Sequence, residues 1–283
     1  MRRKGLWLSL LCVLLCVCAV AGLLAWRGDW RYRLRLAFRR YPAPTPEAVD
    51  TSGWEFLSLQ ALLSDERVSE NTHLMLVNND HPLPADWEPE LAIGEGFSMS
   101  PAALEAFSAL QERVLEETGQ TLLLTSAYRS GAEQTFVFAE QGDKIAADPG
   151  ESEHQTGLAL DVCVRGFGGM SFLKTEAGRL TNEICSEFGF VIRYPQGKTN
   201  VTGFPYEPWH LRYVGAPHAS VMAGANLTME EYLSVLTPDV WYQSGEYLIL
   251  RTNRSELPMP SEFISCTVCH DRTGYAIITV KAS

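Results

Sequence analysis

One stretch dominates the sequence, PGESEHQTGLALDVCV at residues 149–164. It places His154 and Asp161 seven residues apart, on either side of a turn at Gly157 that leads into an apolar strand. Apolar residues flank Asp161 in that strand, where burying an unpaired carboxylate would cost free energy. A bound metal would remove that cost. Taken singly, the two residues have a simpler interpretation, as a surface histidine and a turn-capping aspartate.

A second stretch, EPWHLRYVG at residues 207–215, carries Glu207 and His210. Pro208 disfavours a helical conformation for the residue before it, so we do not expect a helix of the HExxH type here. His210 should begin a strand, with Glu207 held over the site by the preceding loop. Trp209 either forms a wall of the pocket or packs in the core.

Together these residues have the composition of a catalytic zinc site. Two imidazoles and one carboxylate, from His154, His210 and Asp161, can bind zinc and leave a fourth position open for water. Glu207 would accept a proton from the attacking water and return it to the leaving amine. The pattern therefore predicts a zinc peptidase with one zinc ion per chain.

A third element is the segment SAYRS at residues 126–130. Arg129 directly follows a predicted buried strand, where its planar and permanently charged guanidinium can bind a carboxylate or a developing oxyanion. A structural salt bridge is the alternative, and spacing alone does not decide between the two.

Hydrophobic periodicity and capping residues predict an α+β fold with a mainly antiparallel sheet and flanking helices. Helices are predicted at 101–118, 131–140, 175–188 and 229–236. Strands are predicted at 74–78, 121–126, 158–164, 190–194 and 210–214. A small β appendage at 238–283 adds strands at 240–242, 247–251, 263–268 and 275–280.

The N-terminal region predicts membrane attachment. A basic tail at 1–5 precedes 21 uncharged residues at 6–26, long enough to span a bilayer as a transmembrane signal-anchor. The alternative is a signal peptide cleaved near Ala21, which would give a secreted protein. The positive-inside rule would place the C-terminus inside, because more arginines follow the apolar run than precede it. The peptidase chemistry instead predicts a catalytic domain outside the cytoplasm, at 54–237, joined to the membrane by a linker at 27–53.

Charge disfavours nucleic acid as a partner. The net charge is −11, but residues 1–40 contain nine basic residues and one acidic residue. The remainder therefore carries 14 basic and 33 acidic residues, a net −19. A region with this much negative charge repels the phosphate backbone of nucleic acids.

Three segments, SAYRS with Gln134, SEHQTGLALDV and RYPQGKTNVTGFPYEPWHLRYVG, resemble the VanY-type D-alanyl-D-alanine carboxypeptidase family. These zinc peptidases are grouped with lysostaphin-type enzymes and the hedgehog fold, and the resemblance covers residues 74–236. It implies the hedgehog/D-Ala-D-Ala peptidase-like fold, with Glu207 as the catalytic base and Arg129 stabilising the substrate carbonyl or carboxylate. The zinc ligands that it implies are His154, Asp161 and His210. The residues that it places around the terminal D-alanine are Tyr128, Gln134 and Ser152.

The resemblance implies a D,D-carboxypeptidase that removes the C-terminal D-alanine from peptidoglycan stem peptides. An L,D-carboxypeptidase or a stem-peptide endopeptidase with the same zinc site is the alternative among enzymes. From another class, the alternative is a cell-wall binding or sensing module that does not turn over its ligand. An intact Glu207 favours an enzyme over that module.

Three cysteines outside the leader raise separate questions. Cys163 shares a strand face with Asp161 and is either a competing metal ligand or, as we favour, a small buried residue. Cys266 and Cys269 precede His270 in a CxxCH pattern typical of haem attachment. A local disulfide or two free thiols fits this short β-rich region better than haem does.

Overall fold

The structure is a computed structural model that describes residues 13–14, 16–18, 29–41, 47–142 and 147–283. Within these ranges no helix is both long and apolar enough to cross a membrane. The predicted anchor at 6–26 lies almost entirely outside the described residues.

Helices and strands alternate irregularly along the described chain. The helices are α1 (Trp30–Phe38), α2 (Leu59–Leu62), α3 (Pro101–Thr118), α4 (Gly131–Gln141), α5 (Glu176–Ile184), α6 (Thr199–Thr202), α7 (His218–Ala225) and α8 (Met229–Val235). The strands of the first half are β1 (Glu47–Ala48), β2 (Glu55–Ser58), β3 (Val68–Asn71), β4 (Ala92–Gly94), β5 (Phe97–Met99), β6 (Leu123–Ser126) and β7 (Ala159–Cys163). Those of the second half are β8 (Phe190–Ile192), β9 (His210–Tyr213), β10 (Trp241–Ser244), β11 (Tyr247–Thr252), β12 (Glu256–Met259), β13 (Ser265–His270) and β14 (Ala276–Lys281).

A four-stranded antiparallel sheet with the order β6-β7-β9-β8 forms the centre of one half of the molecule. Helix α3 packs on one face of it, where Phe107 and Leu110 share a core cluster with Leu160 and Leu211. Apolar residues at helical spacing on α3 and at alternate positions on the strands supply this core. The predicted α+β fold with an antiparallel sheet and flanking helices is confirmed.

Capping residues set the ends of the helices. Helix α3 begins after Ser100, whose side chain accepts a hydrogen bond from the backbone of Ala103, and ends at Gly119 with a left-handed φ of 68°. Capping boxes form at both predicted sites, Ser130 with Glu133 and Thr228 with Glu231. The predicted helix at 175–188 is shorter than expected, because a tighter 3₁₀ turn replaces its last residues at Cys185–Phe188.

The predicted strand at 74–78 is wrong. Residues 74–77 are buried, but the only ladder-type pairing in the segment is a bridge between Asn78 and His81. The backbone groups of this segment pair irregularly instead: the Arg212 side chain donates to the carbonyls of His73 at 3.1 Å and Met75 at 3.0 Å, and the Leu76 N–H donates to the carbonyl of Asp271 at 3.2 Å. A buried apolar run in the sequence does not show whether its backbone N–H and C=O groups pair with a neighbouring strand or with other groups in the fold.

A second, six-stranded sheet has the order β1-β10-β11-β14-β13-β3. Its four C-terminal strands, β10, β11, β13 and β14, are flanked by two earlier strands: β1 pairs antiparallel with β10, and β3 pairs parallel with β13. Strand β12 forms a separate antiparallel pair with β2. Residues 238–283 thus complete a sheet with residues 47–71 and do not form one by themselves.

Helix α1 occupies part of the region expected to be a linker. Its Tyr32 is buried, and its Arg35 pairs with Glu183 on α5 at 2.5 Å. The helix therefore packs on the folded body instead of extending away from it.

Cys266 and Cys269 are free thiols, so the predicted alternative of a local disulfide is wrong. Cys266 packs in a core cluster with Trp241, whereas Cys269 packs in another with Ile277. Residues three apart on a strand face opposite ways, which separates the two sulfurs. Neither thiol is exposed for attachment of a haem.

Helix α3 carries two leucines that form a matched pair for testing the core of the first sheet, one buried and one exposed. Leu110 on α3 is fully buried, whereas Leu115 on the same helix is 45% exposed. We expect Leu110→Ala to lower the free energy of unfolding by about 2–5 kcal/mol, since it leaves a cavity. Leu115→Ala should change it by less than about 1 kcal/mol. Denaturant unfolding monitored by circular dichroism measures both, and equal losses would contradict this assignment of the core.

Candidate metal centre

The sheet brings two of the predicted ligands together by direct pairing. Asp161 in the middle of β7 and His210 at the start of β9 are register partners in the antiparallel ladder. Side chains of such partners leave the same face of the sheet about 5 Å apart. One acidic and one imidazole ligand therefore lie side by side because of backbone pairing alone.

A glycine turn adds the third ligand. His154 lies in a 3₁₀ turn, Glu153–Thr156, which ends at Gly157 with a left-handed φ of 71°. A Cβ atom at Gly157 would lie 2.8 Å from a Leu91 methyl and 3.2 Å from the Ser100 nitrogen, so only glycine fits without displacement of its neighbours. The turn reverses the chain and returns His154 to the side of β7.

The three ligands converge on one point. One ligand atom from each of His154, Asp161 and His210 lies within 4.8 Å of the others. Asp161 Oδ2 is 3.3 Å from His154 Nε2, and Asp161 Oδ1 is 3.0 Å from His210 Nδ1. Nevertheless Oδ1 is buried without a hydrogen-bond partner. These atoms face a common position between them, which is the arrangement that a cation requires.

The surroundings fix which nitrogen of His154 faces this position. Its Nδ1 lies 2.7 Å from the carbonyl oxygen of Ala127, a distance at which the N–H donates to that carbonyl. In the neutral imidazole the other nitrogen, Nε2, which faces Asp161, is then the one with a free lone pair for a metal. Two nitrogens and a carboxylate oxygen are a ligand set that suits zinc.

Electrostatics keep Asp161 ionised. Burial alone raises the pKa of this carboxyl group, but His154 and His210 outweigh burial and hold the pKa well below its usual range. The His210 pKa moves the other way: burial lowers it, and the Asp161 carboxylate beside the ring raises it overall. An anionic site of this kind favours a divalent cation.

Glu207 lies beside the ligands, as its position in the sequence predicted. Its Oε2 is 3.9 Å from His210 Nδ1, and its backbone N–H donates to the carbonyl of Tyr194 at 3.0 Å. Burial, with a smaller contribution from Asp161, raises the pKa of Glu207 to about 6, against the opposing effect of His210. A carboxylate with a pKa close to neutral is suited to general acid–base chemistry.

Arg129 reaches the same site with its guanidinium held at two points. It donates to Gln134 Oε1 at 2.7 Å and to Ser126 Oγ at 3.0 Å. Gln134 is almost fully buried, and its amide nitrogen donates to the carbonyl of Ala147 at 2.6 Å. Both polar atoms of Gln134 are therefore occupied, and its contact with Arg129 orients the guanidinium.

These residues share one cavity of about 260 Å³. Its lining includes the predicted residues Arg129, Gln134, Ser152, His154, Asp161, Glu207, Trp209 and His210. The lining residues that the sequence did not indicate are Val137, Ala147, Glu153, Tyr194 and Phe204. Among the described residues, neither Tyr128 nor Cys163 lines this cavity. Burial raises the pKa of the Cys163 thiol, which disfavours the thiolate that would bind a metal.

Two aromatic rings form the wall that sequence reasoning missed. Tyr194 lies against the His210 ring with centroids 5.0 Å apart, and Phe204 lies against Tyr194 at 4.8 Å. The aromatic residues in the RYPQGKTNVTGFPYEPWH segment were the available signal, but only the fold shows which of them face the metal position.

Comparison with known proteins agrees with this geometry. The model of the VanY D-alanyl-D-alanine carboxypeptidase family matches residues 96–216. A D-alanyl-D-alanine carboxypeptidase from Enterococcus faecium is 31% identical over 220 residues, which cover 71% of this chain and 70% of that protein. The chain belongs to the VanY family of D-alanyl-D-alanine carboxypeptidases.

Two further relatives bear on the activity and the metal. The bifunctional D-Ala-D-Ala dipeptidase and carboxypeptidase VanXYC of Enterococcus gallinarum is 36% identical over 183 residues, covering 59% of this chain and 96% of that protein. The vancomycin resistance D,D-pentapeptidase VanY, whose crystal structure in complex with Zn(II) is known, is 31% identical in sequence to this chain, with a TM-score of 0.52. The match covers 57% of this chain and 98% of that one. Zinc is thus the metal for which the donor set of this family member is suited.

Zinc should stabilise the fold through the three converging ligands. At a zinc concentration 100 times the dissociation constant, we expect the free energy of unfolding to rise by about 2.7 kcal/mol. His210→Ala should abolish this zinc-dependent gain, whereas His270→Ala, at an exposed histidine on β13, should retain it. Thermal denaturation with zinc and with chelator measures the difference. A full zinc-dependent gain in the His210 variant would remove that residue from the ligand set.

Glu207 should make the metal-free protein less stable near neutral pH. The pKa of Glu207 is about 6 in the folded protein, above the ordinary value of 4.5. The carboxyl group therefore contributes favourably to the free energy of unfolding below pH 4.5, and this contribution is lost as the pH rises through 6. We expect Glu207→Gln to stabilise the metal-free protein at pH 7 by up to about 2 kcal/mol. At pH 4 the substitution should not raise the free energy of unfolding.

Denaturant unfolding of the chelated protein at both pH values measures this effect. Glu116→Gln, at an exposed residue of α3, is the matched control and should show no such difference. A Glu207 variant that is less stable than wild type at pH 7 would contradict the electrostatic assignment.

Proposed function

We propose that this protein is a zinc-dependent D,D-carboxypeptidase that removes the C-terminal D-alanine from peptidoglycan stem peptides. The observation that carries the proposal is the set of three converging ligand atoms, from His154, Asp161 and His210, in one cavity with Glu207 and Arg129. The names of the family relatives support the substrate class. When bound, zinc acts as a Lewis acid that polarises the substrate carbonyl and lowers the pKa of water.

Glu207 is the proton carrier of this proposal. Its carboxylate accepts a proton from the attacking water and delivers it to the nitrogen of the departing D-alanine. The raised pKa of about 6 suits both steps, because the group has to gain and lose a proton in each turnover. Tyr194 and Phe204 form an apolar wall on the side of His210 and limit the access of bulk water.

Arg129 binds negative charge in the same cavity. Gln134 and Ser126 hold its guanidinium, so little conformational entropy is lost when it pairs with an anion. The anion is either the terminal carboxylate of the substrate or the oxyanion that develops on its carbonyl. Ser152 and Trp209 lie along the remaining wall and would contact the end of the peptide.

The small size of the cavity suits the end of a peptide. A cavity of about 260 Å³ can hold a terminal residue, with the rest of the stem lying outside.

We also propose that residues 6–26 anchor the chain as a single-pass membrane protein with its catalytic domain outside the cytoplasm. The 21 uncharged residues of that stretch and the extracytoplasmic location of a peptidoglycan substrate support this topology. Secretion after cleavage near Ala21 is the alternative. Protease accessibility of the catalytic domain in intact cells, with and without membrane fractionation, tests both.

Hydrolysis of defined stem peptides tests the activity. Residues 27–283, which retain α1 on the folded body, would be loaded with zinc and incubated with stem pentapeptide and, separately, stem tetrapeptide. We expect mass spectrometry to show loss of one alanine from the pentapeptide, abolished by chelator. Cleavage of the tetrapeptide alone would assign an L,D-carboxypeptidase, and zinc binding without cleavage of either would assign a binding module.

Variants of the two proposed catalytic groups sharpen this experiment. Glu207→Gln should abolish turnover while zinc and peptide still bind, since only the proton carrier is lost. Arg129→Lys keeps the charge but loses the planar fork, and we expect kcat to fall by about 10²–10³. Unchanged turnover in the Glu207 variant would mean that another group carries the proton.

A further inference from the structure

Glu153 is a buried carboxylate to which the proposed mechanism gives no role. It precedes His154 in the 3₁₀ turn, and its side chain is completely inaccessible to solvent. One oxygen, Oε1, accepts from Arg193 Nε at 2.7 Å and lies 2.9 Å from Arg212 Nη1. A buried charge is costly unless it is paired, and the two arginines supply that pairing.

The second oxygen of Glu153 faces a metal ligand. Oε2 is buried without a hydrogen-bond partner, and it lies 4.0 Å from His210 Nε2. That nitrogen is also buried and also lacks a partner among the described residues. An acceptor without a donor and a ring nitrogen without an acceptor therefore face each other at the back of the site.

The other nitrogen of His210 determines what this one can do. Nδ1 is 3.0 Å from Asp161 Oδ1 and is the atom that converges with the other ligands. A ring nitrogen that binds a metal carries no proton, so the neutral imidazole places its hydrogen on Nε2. The hydrogen then points toward Glu153, and a displacement of about 1 Å would bring the pair within ordinary hydrogen-bond distance.

We propose that Glu153 is a positioning residue of the metal centre, which accepts a hydrogen bond from His210 Nε2 and so holds Nδ1 toward the metal. The contact fixes both the tautomer and the plane of the ring, and it raises the basicity of the ligand. This inference rests on the metal centre of the proposed function. It extends that centre by a residue that touches neither metal nor substrate.

Glu153 is itself held rigidly, as a positioning residue has to be. Arg193 binds it on one side and makes a bidentate pair with Glu230 of α8 on the other, at 2.6 and 3.0 Å. Asn78 donates to the same Glu230 at 3.2 Å. The chain of contacts fixes Glu153 against helix α8 and against the loop that contains Asn78.

The competing explanation is that Glu153 only neutralises two buried arginines. Glu230 allows a direct test, because it is a second carboxylate paired with the same Arg193 but makes no contact with His210. Glu153→Gln and Glu230→Gln each remove one negative charge from Arg193 and differ in the contact with the metal ligand. A purely structural role predicts that both variants lose stability while both retain their zinc affinity.

The experiment measures the zinc dissociation constant of the full chain by competition with a chromogenic chelator. We expect Glu153→Gln to weaken zinc binding by about 10- to 100-fold and Glu230→Gln to change it by less than about threefold. In the cobalt-substituted protein, the visible absorption spectrum should change for Glu153→Gln and not for Glu230→Gln. Equal zinc affinities in the two variants would overturn the proposal.

A second variant protects the test against loss of folding. Glu153→Asp keeps the charge that the arginines require but shortens the reach toward His210, so it should fold and still bind zinc more weakly than wild type. Wild-type affinity in that variant would also overturn the proposal. Zinc affinity is measured without substrate, so a wild-type protein that binds zinc but cleaves no stem peptide would refute the proposed function and leave the Glu153 test readable.

Discussion

The pairing of β7 with β9 places Asp161 opposite His210, and the arrangement of the whole site depends on that pairing. The next pair along the ladder, Leu160 with Leu211, points the other way into the core beneath α3. Because side chains alternate along a strand, a slip of one residue in either strand would turn its ligand toward the core and its leucine toward the metal position. Hydrophobic burial on one face therefore enforces the ligand geometry on the other, and the Gly157 turn has only to add His154.

The same alternation connects the metal position to the rest of the protein. His210 and Arg212 are two residues apart on β9 and share a face, and Glu153 approaches both side chains. Arg212 also binds the carbonyls of His73 and Met75, just beyond the end of β3 in the six-stranded sheet. A buried arginine thus connects the sheet that carries the candidate ligands with the sheet that joins residues 47–71 to residues 238–283.

The site concentrates charge at a cost in stability. Asp161, Glu153 and Glu207 lie close together in a region with little solvent, and burial raises the pKa of Glu207 above its ordinary value. Two buried arginines offset the charge of Glu153, and a divalent cation would offset that of Asp161. Glu207 alone lacks an equivalent partner, and that same lack gives it the pKa that proton transfer near neutral pH requires.

The sequence by itself indicated the candidate ligand set and the candidate proton carrier, and it determined the antiparallel α+β class and the capped ends of α3, α4 and α8. Each of these features depends on residues close together in the chain or on the short-range periodicity of apolar residues. Only the tertiary structure decided the positions of Glu153, Tyr194 and Gln134 around the site, the pairing of the C-terminal strands with β1 and β3, and the docking of α1. These depend on contacts between residues far apart in sequence, for which local propensity carries no signal. The mistaken strand at 74–78 has the same origin, since its backbone groups pair with Arg212, Cys269 and Asp271, all more than a hundred residues away.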